Sequence, residues 1–265
     1  MVRSKKRFLK KKRNTRRYKK QKGGNQNIVC ISYADKGYEN SKKSLKETAL
    51  KVGGITTVKQ YTFNDIDQKF KDENKEILSM KRGAGYWLWK PYLILKTLNE
   101  MNNNDILIYC DTAMNFVSSI KTYIEKMSGS FMLFQHGTNY IEKNFTKGDI
   151  FQHFNVLDNK DITDTIQLDA SHSIWKRDDN SIKFVSEWLE LCKNKQLLTD
   201  VPSITPNLDG FSEHRHDQSI LSVLAKVKKN EYNIQIEISA TDYGESNDRR
   251  NKDLPQLLNH HRNRN

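Results

Sequence analysis

Asp105-Ile-Leu-Ile-Tyr-Cys-Asp111 is the stretch on which the fold turns. Apolar and aromatic residues fill the space between two acids, with no polar residue at alternate positions. A strand with one solvated face alternates, whereas a strand buried on both faces does not, and the latter belongs to a parallel sheet covered by helices. Upstream, Asn102-Asn-Asn104 makes a short turn, and the apolar stretch 91–101 reads as a helix with Pro91 in its tolerated first turn. A helix and strand joined so closely run antiparallel. With a rise of about 1.5 Å per residue in the helix and about 3.3 Å in the strand, Tyr86–Lys90 returns to the carboxyl end of the strand, beside Asp111. Ligands of open α/β sheets bind beyond those carboxyl ends.

The same alternation of element types extends both ways. Strands are expected at 27–33, 56–62, 130–135, 165–170 (reaching towards Trp175) and 233–238. Helices are expected at 40–52, capped by Asn40 or Ser41 and stopped by Gly53-Gly54, and at 64–80, 116–127, 148–157, 180–193 and 217–228. A polar, solvated C-terminus follows. There is no internal repeat. The pattern predicts a single α/β domain with a central, mostly parallel sheet flanked by helices.

Charge divides the chain. Of 265 residues, 45 are Lys or Arg and 32 are Asp or Glu, a net charge of +13. Residues 1–22 hold thirteen of the basic groups and no acid, so the remainder is formally neutral. The expected organisation is a disordered basic tail over 1–24 and one domain over 25–265. This distribution excludes a nucleic-acid surface spread over the body. It leaves a tail able to contact nucleic acid or an acidic membrane. No uncharged apolar run approaches the ~18 residues of a membrane span, and the N-terminus lacks the apolar centre of a secretory signal. Cys30, Cys110 and Cys192 are odd in number and far apart, which predicts free thiols in a reducing, cytoplasmic setting.

Three segments carry chemistry. Arg82-Gly-Ala-Gly-Tyr-Trp-Leu-Trp-Lys-Pro91 offers glycines for close backbone approach, cations at Arg82 and Lys90, and ring faces at Tyr86 and Trp89 for a base or sugar. Tyr109-Cys-Asp111 ends the central strand in a carboxylate. Near it, Arg82, Lys90 and a helix N-terminus suit a phosphate with a metal ion. Glu213-His-Arg-His-Asp-Gln-Ser219 opens a helix with more polar groups than capping requires, Asp217 and His216 among them.

Together these segments resemble a family of small glycosyltransferases with the GT-A fold, found in bacteria and large DNA viruses, a chlorella-virus protein included. The matching residues are Arg82-Gly-x-Gly-Tyr-Trp-x-Trp-Lys-Pro91, Asp105-Ile-Leu-x-Tyr-x-Asp111 and His214-Arg-His-Asp-Gln-Ser219. Smaller matches are Glu47-Thr-Ala-Leu-Lys51, Thr146-Lys-Gly-Asp149 and His260-His-Arg262. The resemblance implies transfer of a sugar from a nucleotide-diphosphate donor, commonly a UDP-sugar, to a glycan, protein or lipid acceptor, with Mn²⁺ or Mg²⁺. It places Asp111 on the metal and the donor, with Tyr109 standing where the family's Asp-x-Asp motif has its first acid. It puts the nucleoside at Ser32-Tyr33, the leaving diphosphate near Arg82 or Lys90, and the base or sugar against Tyr86 or Trp89. Asp217 and His216 fall at the sugar end, binding hydroxyls or taking the acceptor's proton, with Asp169 a further candidate base. His260 or His261 returns late in the chain as a metal ligand. An infected host cell or a virion is the location such a relationship suggests.

Two other readings compete. One is a nucleic-acid-binding protein acting through the basic arm. The other is nucleotidylyl transfer on the same fold, for which the glycine-rich first-strand loop is missing, since Ser32–Lys36 holds no glycine.

Overall fold

The computed structural model describes residues 26–136, 139–242 and 253–261. The expected tail over 1–24 lies outside them. The central sheet has six strands in the order β2-β1-β3-β6-β5-β7. They are β1 (Ile28–Tyr33), β2 (Thr57–Tyr61), β3 (Ile106–Cys110), β5 (Phe131–Gln135), β6 (Leu168–Lys176) and β7 (Gln235–Ile238). A second, three-stranded sheet joins β4 (Met114–Phe116), β9 (Leu258–His260) and β8 (Thr241–Asp242). In the large sheet β6 alone runs against its neighbours β3 and β5, and the other pairings are parallel. The chain is therefore the expected α/β domain with a mostly parallel sheet flanked by helices.

Strand β3 shows why. Leu107 and Tyr109 face one core and Ile106, Ile108 and Cys110 the other, and all five side chains are buried. The first core is closed by the helices Trp89–Glu100, Asp179–Cys192 and Asp217–Val227, which bring Leu93, Trp188 and Leu221 against it. The second is closed by the helix Glu39–Lys51 with Leu45 and Ala49, and by Phe116 and Leu258 of the small sheet. Burying each such side chain is worth about 1.5–3 kcal/mol, so the sheet is held from both sides.

Four local expectations need correction. The single helix over 64–80 is instead a 3-10 turn (Phe63–Asp65) and two short helices (Gln68–Glu73 and Lys75–Leu78). Thr62 and Asp65 close a capping box, Ile66 turns extended to enter the core, and the Asn74 side chain bonds back to Phe70 O at 2.9 Å. The helix at 116–127 shrinks to Lys121–Lys126, because Met114–Phe116 pairs with β9. The C-terminus is likewise no solvated tail, since Leu257 and Leu258 are fully buried. The helix at 40–52 begins one residue earlier, after Tyr38, with no side-chain cap from Asn40 or Ser41. Among the described residues no helix is long and apolar enough to cross a membrane.

Candidate active site

A cleft of about 910 Å³ opens at the carboxyl ends of β1 and β3. Tyr33–Asp35 and Tyr38 enter it after β1, and Asp111–Ala113 after β3. Lys81, Gly83, Ala84, Trp87 and Trp89 line it from the loop before the helix Trp89–Glu100, and His260 and His261 from the end of β9. Five expected residues thus share one space: Tyr33, Trp89, Asp111, His260 and His261.

Asp111 is anchored at one oxygen. Tyr109 Oη donates to Asp111 Oδ1 at 2.5 Å, and Lys90 Nζ lies 3.8 Å from the same atom. The side chain is 39% exposed, so the carboxylate also meets the cleft. Lys90 is buried, donates to Ala170 O at 3.0 Å and lies 3.2 Å from Asp217 Oδ2. Burial alone would lower the Lys90 pKa, but the carboxylates of Asp217 and Asp111 outweigh it and the pKa is raised. Asp217 is equally buried. Loss of water pushes its carboxyl up to about 6, with Lys90 pulling the other way. The helix–strand geometry read from the sequence is therefore met, with Lys90 brought back to Asp111. Lys90 and Asp217 lie behind the cleft wall as an ion pair.

The loop 82–88 is a single turn of left-handed helix. Gly83, Ala84, Gly85, Tyr86 and Trp87 all have φ between 51° and 95°. Tyr86 N donates to Arg82 O at 2.7 Å and Trp87 N to Gly83 O at 3.1 Å. L-residues resist this conformation by about 1–2 kcal/mol each, and three of the five are not glycine. Gly85 is required on two counts: φ is +95°, and a Cβ there would stand 2.8 Å from Leu78 Cα. Gly85→Ala is expected to lower stability by about 2–4 kcal/mol in urea titrations, whereas Ala84→Gly gains up to about 1 kcal/mol.

The turn sorts the side chains of its motif. Arg82 and Tyr86 leave the cleft lining and converge on Asp200 Oδ2 at 3.1 and 3.0 Å. Trp89 is 5% exposed, stacked on Tyr33 with ring centroids 3.9 Å apart, and its Nε1 donates to Gly83 O at 2.9 Å. Trp87 is the half-buried indole of the cleft, packed on the His216 ring at 5.3 Å. His216 is buried behind it, with φ 54° and Nδ1–H donating to Leu198 O at 2.9 Å. Burial lowers its pKa to about 4, so the ring is neutral near pH 7. Ser32 is buried at the end of β1, and its Oγ has no hydrogen-bond partner among the described residues. Asp169 is buried on β6, 3.6 Å from the His172 ring, and accepts from Ser171 N at 2.7 Å.

Among the described residues no group of three His, Cys, Asp or Glu side chains is arranged to hold a metal ion. Asp111 and His261 nevertheless face one cleft. Both ring nitrogens of His261 are shielded from water and have no hydrogen-bond partner among the described residues, and desolvation lowers its pKa, leaving a neutral imidazole. This donor set fits a divalent ion that takes its remaining ligands from a bound diphosphate. It does not fit a closed, all-protein site.

Asp35, Tyr38, Lys81 and Trp87 line the cleft but were not singled out by the sequence pattern. Only the glycines flanking Ala84 signal a turn that could expose Trp87. No family model matches the chain, and no curated protein matches it. Among solved structures the chain is similar to mouse xyloside xylosyltransferase 1 in its apo form, at 8% sequence identity and a TM-score of 0.48, over 89% of this chain and 97% of that one.

Proposed function

We propose that the protein is a glycosyltransferase, moving a sugar from a nucleotide-diphosphate donor, most simply a UDP-sugar, to a glycan, protein or lipid acceptor with the help of Mn²⁺ or Mg²⁺. The observation that carries this reading is Asp111 at the end of β3, secured at Oδ1 and open to the cleft, in the same space as the partnerless His261 ring.

Breaking a glycosyl phosphate builds positive charge at the anomeric carbon and negative charge on the departing diphosphate. A divalent ion held by Asp111 and His261 would supply charge to that leaving group. The chain's own residues do the rest. Tyr109 and Lys90 fix the Asp111 carboxylate, so little reorganisation is needed when the donor arrives. The Lys90 ammonium adds positive potential from behind the wall, and Lys81 does so from the cleft itself. Asp35 and Tyr38, after β1, suit the nucleoside. Asp217 and His216 act on the sugar end through what they hold, Asp217 through Lys90 and His216 through Trp87.

The test is a donor panel on the full chain, with UDP- and GDP-sugars titrated calorimetrically with and without Mn²⁺. Binding of at least one donor, strengthened by the ion, is the expected result. If no nucleotide sugar binds with Mn²⁺ present, the reading is lost. Repeating the panel after deletion of residues 1–22 should leave donor affinity unchanged. The same deletion should abolish any salt-sensitive retention on DNA, because thirteen cations leave with the segment.

A further inference from the structure

The left-handed turn presents an indole to the cleft. Of the two tryptophans in the motif, Trp89 is spent on the fold: its face lies on Tyr33 and its Nε1–H is taken by Gly83 O. Trp87 differs on each count. It is half-buried and lines the cleft, one face is backed by the His216 ring at an interplanar angle of 19°, and among the described residues no atom accepts from its Nε1. Gly83 completes the seat, since a Cβ there would come within 2.4 Å of Trp87 Cε3. Only a glycine lets the indole lie so close to the backbone.

Strain of this kind persists where the surroundings over-determine it. Here it holds one large ring, rigid and half-open, at a defined place. The place is given by its neighbours. Trp87 packs on His216, which immediately precedes the helix Asp217–Val227, whereas its neighbour Trp89 packs on Tyr33 among the β1 residues Tyr33–Asp35. The nucleoside belongs with the latter. On the glycosyltransferase reading, the His216 side is then left for the sugar. A pyranose presents an apolar C–H face that packs on an indole, and its hydroxyls can accept from Nε1–H.

We propose that Trp87 is the stacking platform for the apolar face of a pyranose ring in the cleft, and that His216 is its positioning residue. The inference rests on the glycosyltransferase reading. The same chemistry serves the sugar carried by the donor or the sugar of an acceptor, and the experiment separates them.

The full chain is labelled with 5-fluorotryptophan, and the Trp87 signal is assigned by its loss in Trp87→Phe. Titrations are run with Mg²⁺, using the donor that the panel selects (UDP-glucose or GDP-mannose), its nucleoside diphosphate, and methyl β-glucoside in the presence of that diphosphate. Calorimetry reports occupancy in parallel. A donor-sugar platform shifts the Trp87 resonance with the nucleotide sugar and not with the bare diphosphate, and Trp87→Ala weakens only the nucleotide sugar, by about tenfold. An acceptor platform shifts it with the methyl glycoside alone. His216→Ala should broaden or move the Trp87 signal before any ligand is added. If the nucleotide sugar binds by calorimetry while the Trp87 resonance ignores every sugar, the platform is refuted and the glycosyltransferase reading stands. If no nucleotide binds, both fall.

Discussion

Lys90→Met is expected to cost about 3–5 kcal/mol of folding stability, measured by urea unfolding at pH 8. Asp217 is buried with its carboxylate 3.2 Å from the Lys90 ammonium, and no other cation lies against it in an ion pair among the described residues. Removing one member of a buried pair leaves the other charge without water or partner, and that desolvation is the main loss. The sign of the pH dependence follows. With Lys90 the Asp217 pKa is already raised to about 6; without it the value rises further, above the ~3.9 of an unfolded Asp. The folded variant then binds a proton that the unfolded chain does not, so its stability recovers as pH falls from 8 towards 5. Lys90→Met combined with Asp217→Asn should regain much of the loss at pH 8. If the single variant is as stable as the native chain, the pair does not hold the start of this helix.

Asp111→Ala should act the opposite way, on ligand and not on fold. The side chain is partly exposed, and Lys90 keeps Ala170 O and Asp217 when it leaves. Stability should change by less than about 1 kcal/mol. Donor affinity in Mn²⁺ should fall by about 100-fold, and the enhancement by the ion should vanish, because a divalent ion would lose its anionic protein ligand. Asp111→Asn keeps one oxygen and should fall between. Tyr109→Phe frees Oδ1 from one of its two partners and should cost about tenfold through looser positioning. Metal-dependent binding that survives Asp111→Ala intact would move the donor site elsewhere.

These two variants also show how far the sequence could be read. The apolar run 106–110 announced the sheet, and simple rise-per-residue geometry put Lys90 beside Asp111. Both are local quantities. What Lys90 does there is not local, because its partner Asp217 stands on a helix far along the chain. A lysine next to a carboxylate reads as a phosphate ligand until the second carboxylate is placed. Trp87 and Trp89 present the same residue type two positions apart. Which one stays half-open at the cleft depends on the sign of φ over five residues, and Gly83 and Gly85 permit that sign without dictating it. The lost 64–80 helix has a similar origin, since Thr62 and Asp65 satisfy each other locally and stop helix propagation before it starts. The pairing of Met114 with His260 had no local signal at all.

That pairing has a consequence for how activity and folding are linked. β9 meets β4 through three registered pairs and β8 through two more. β9 is a three-residue strand, so it is expected to open before the central strand β3, which is buried on both faces. Leu258 and the backbone bond from His261 N to Ala113 O hold it down. While β9 is open the large sheet can remain folded, yet the imidazole of His261 is absent from the cleft. On the proposed reading, opening β9 would leave the large sheet structured and the cleft without that imidazole, so the strand serves as a latch that arms the site.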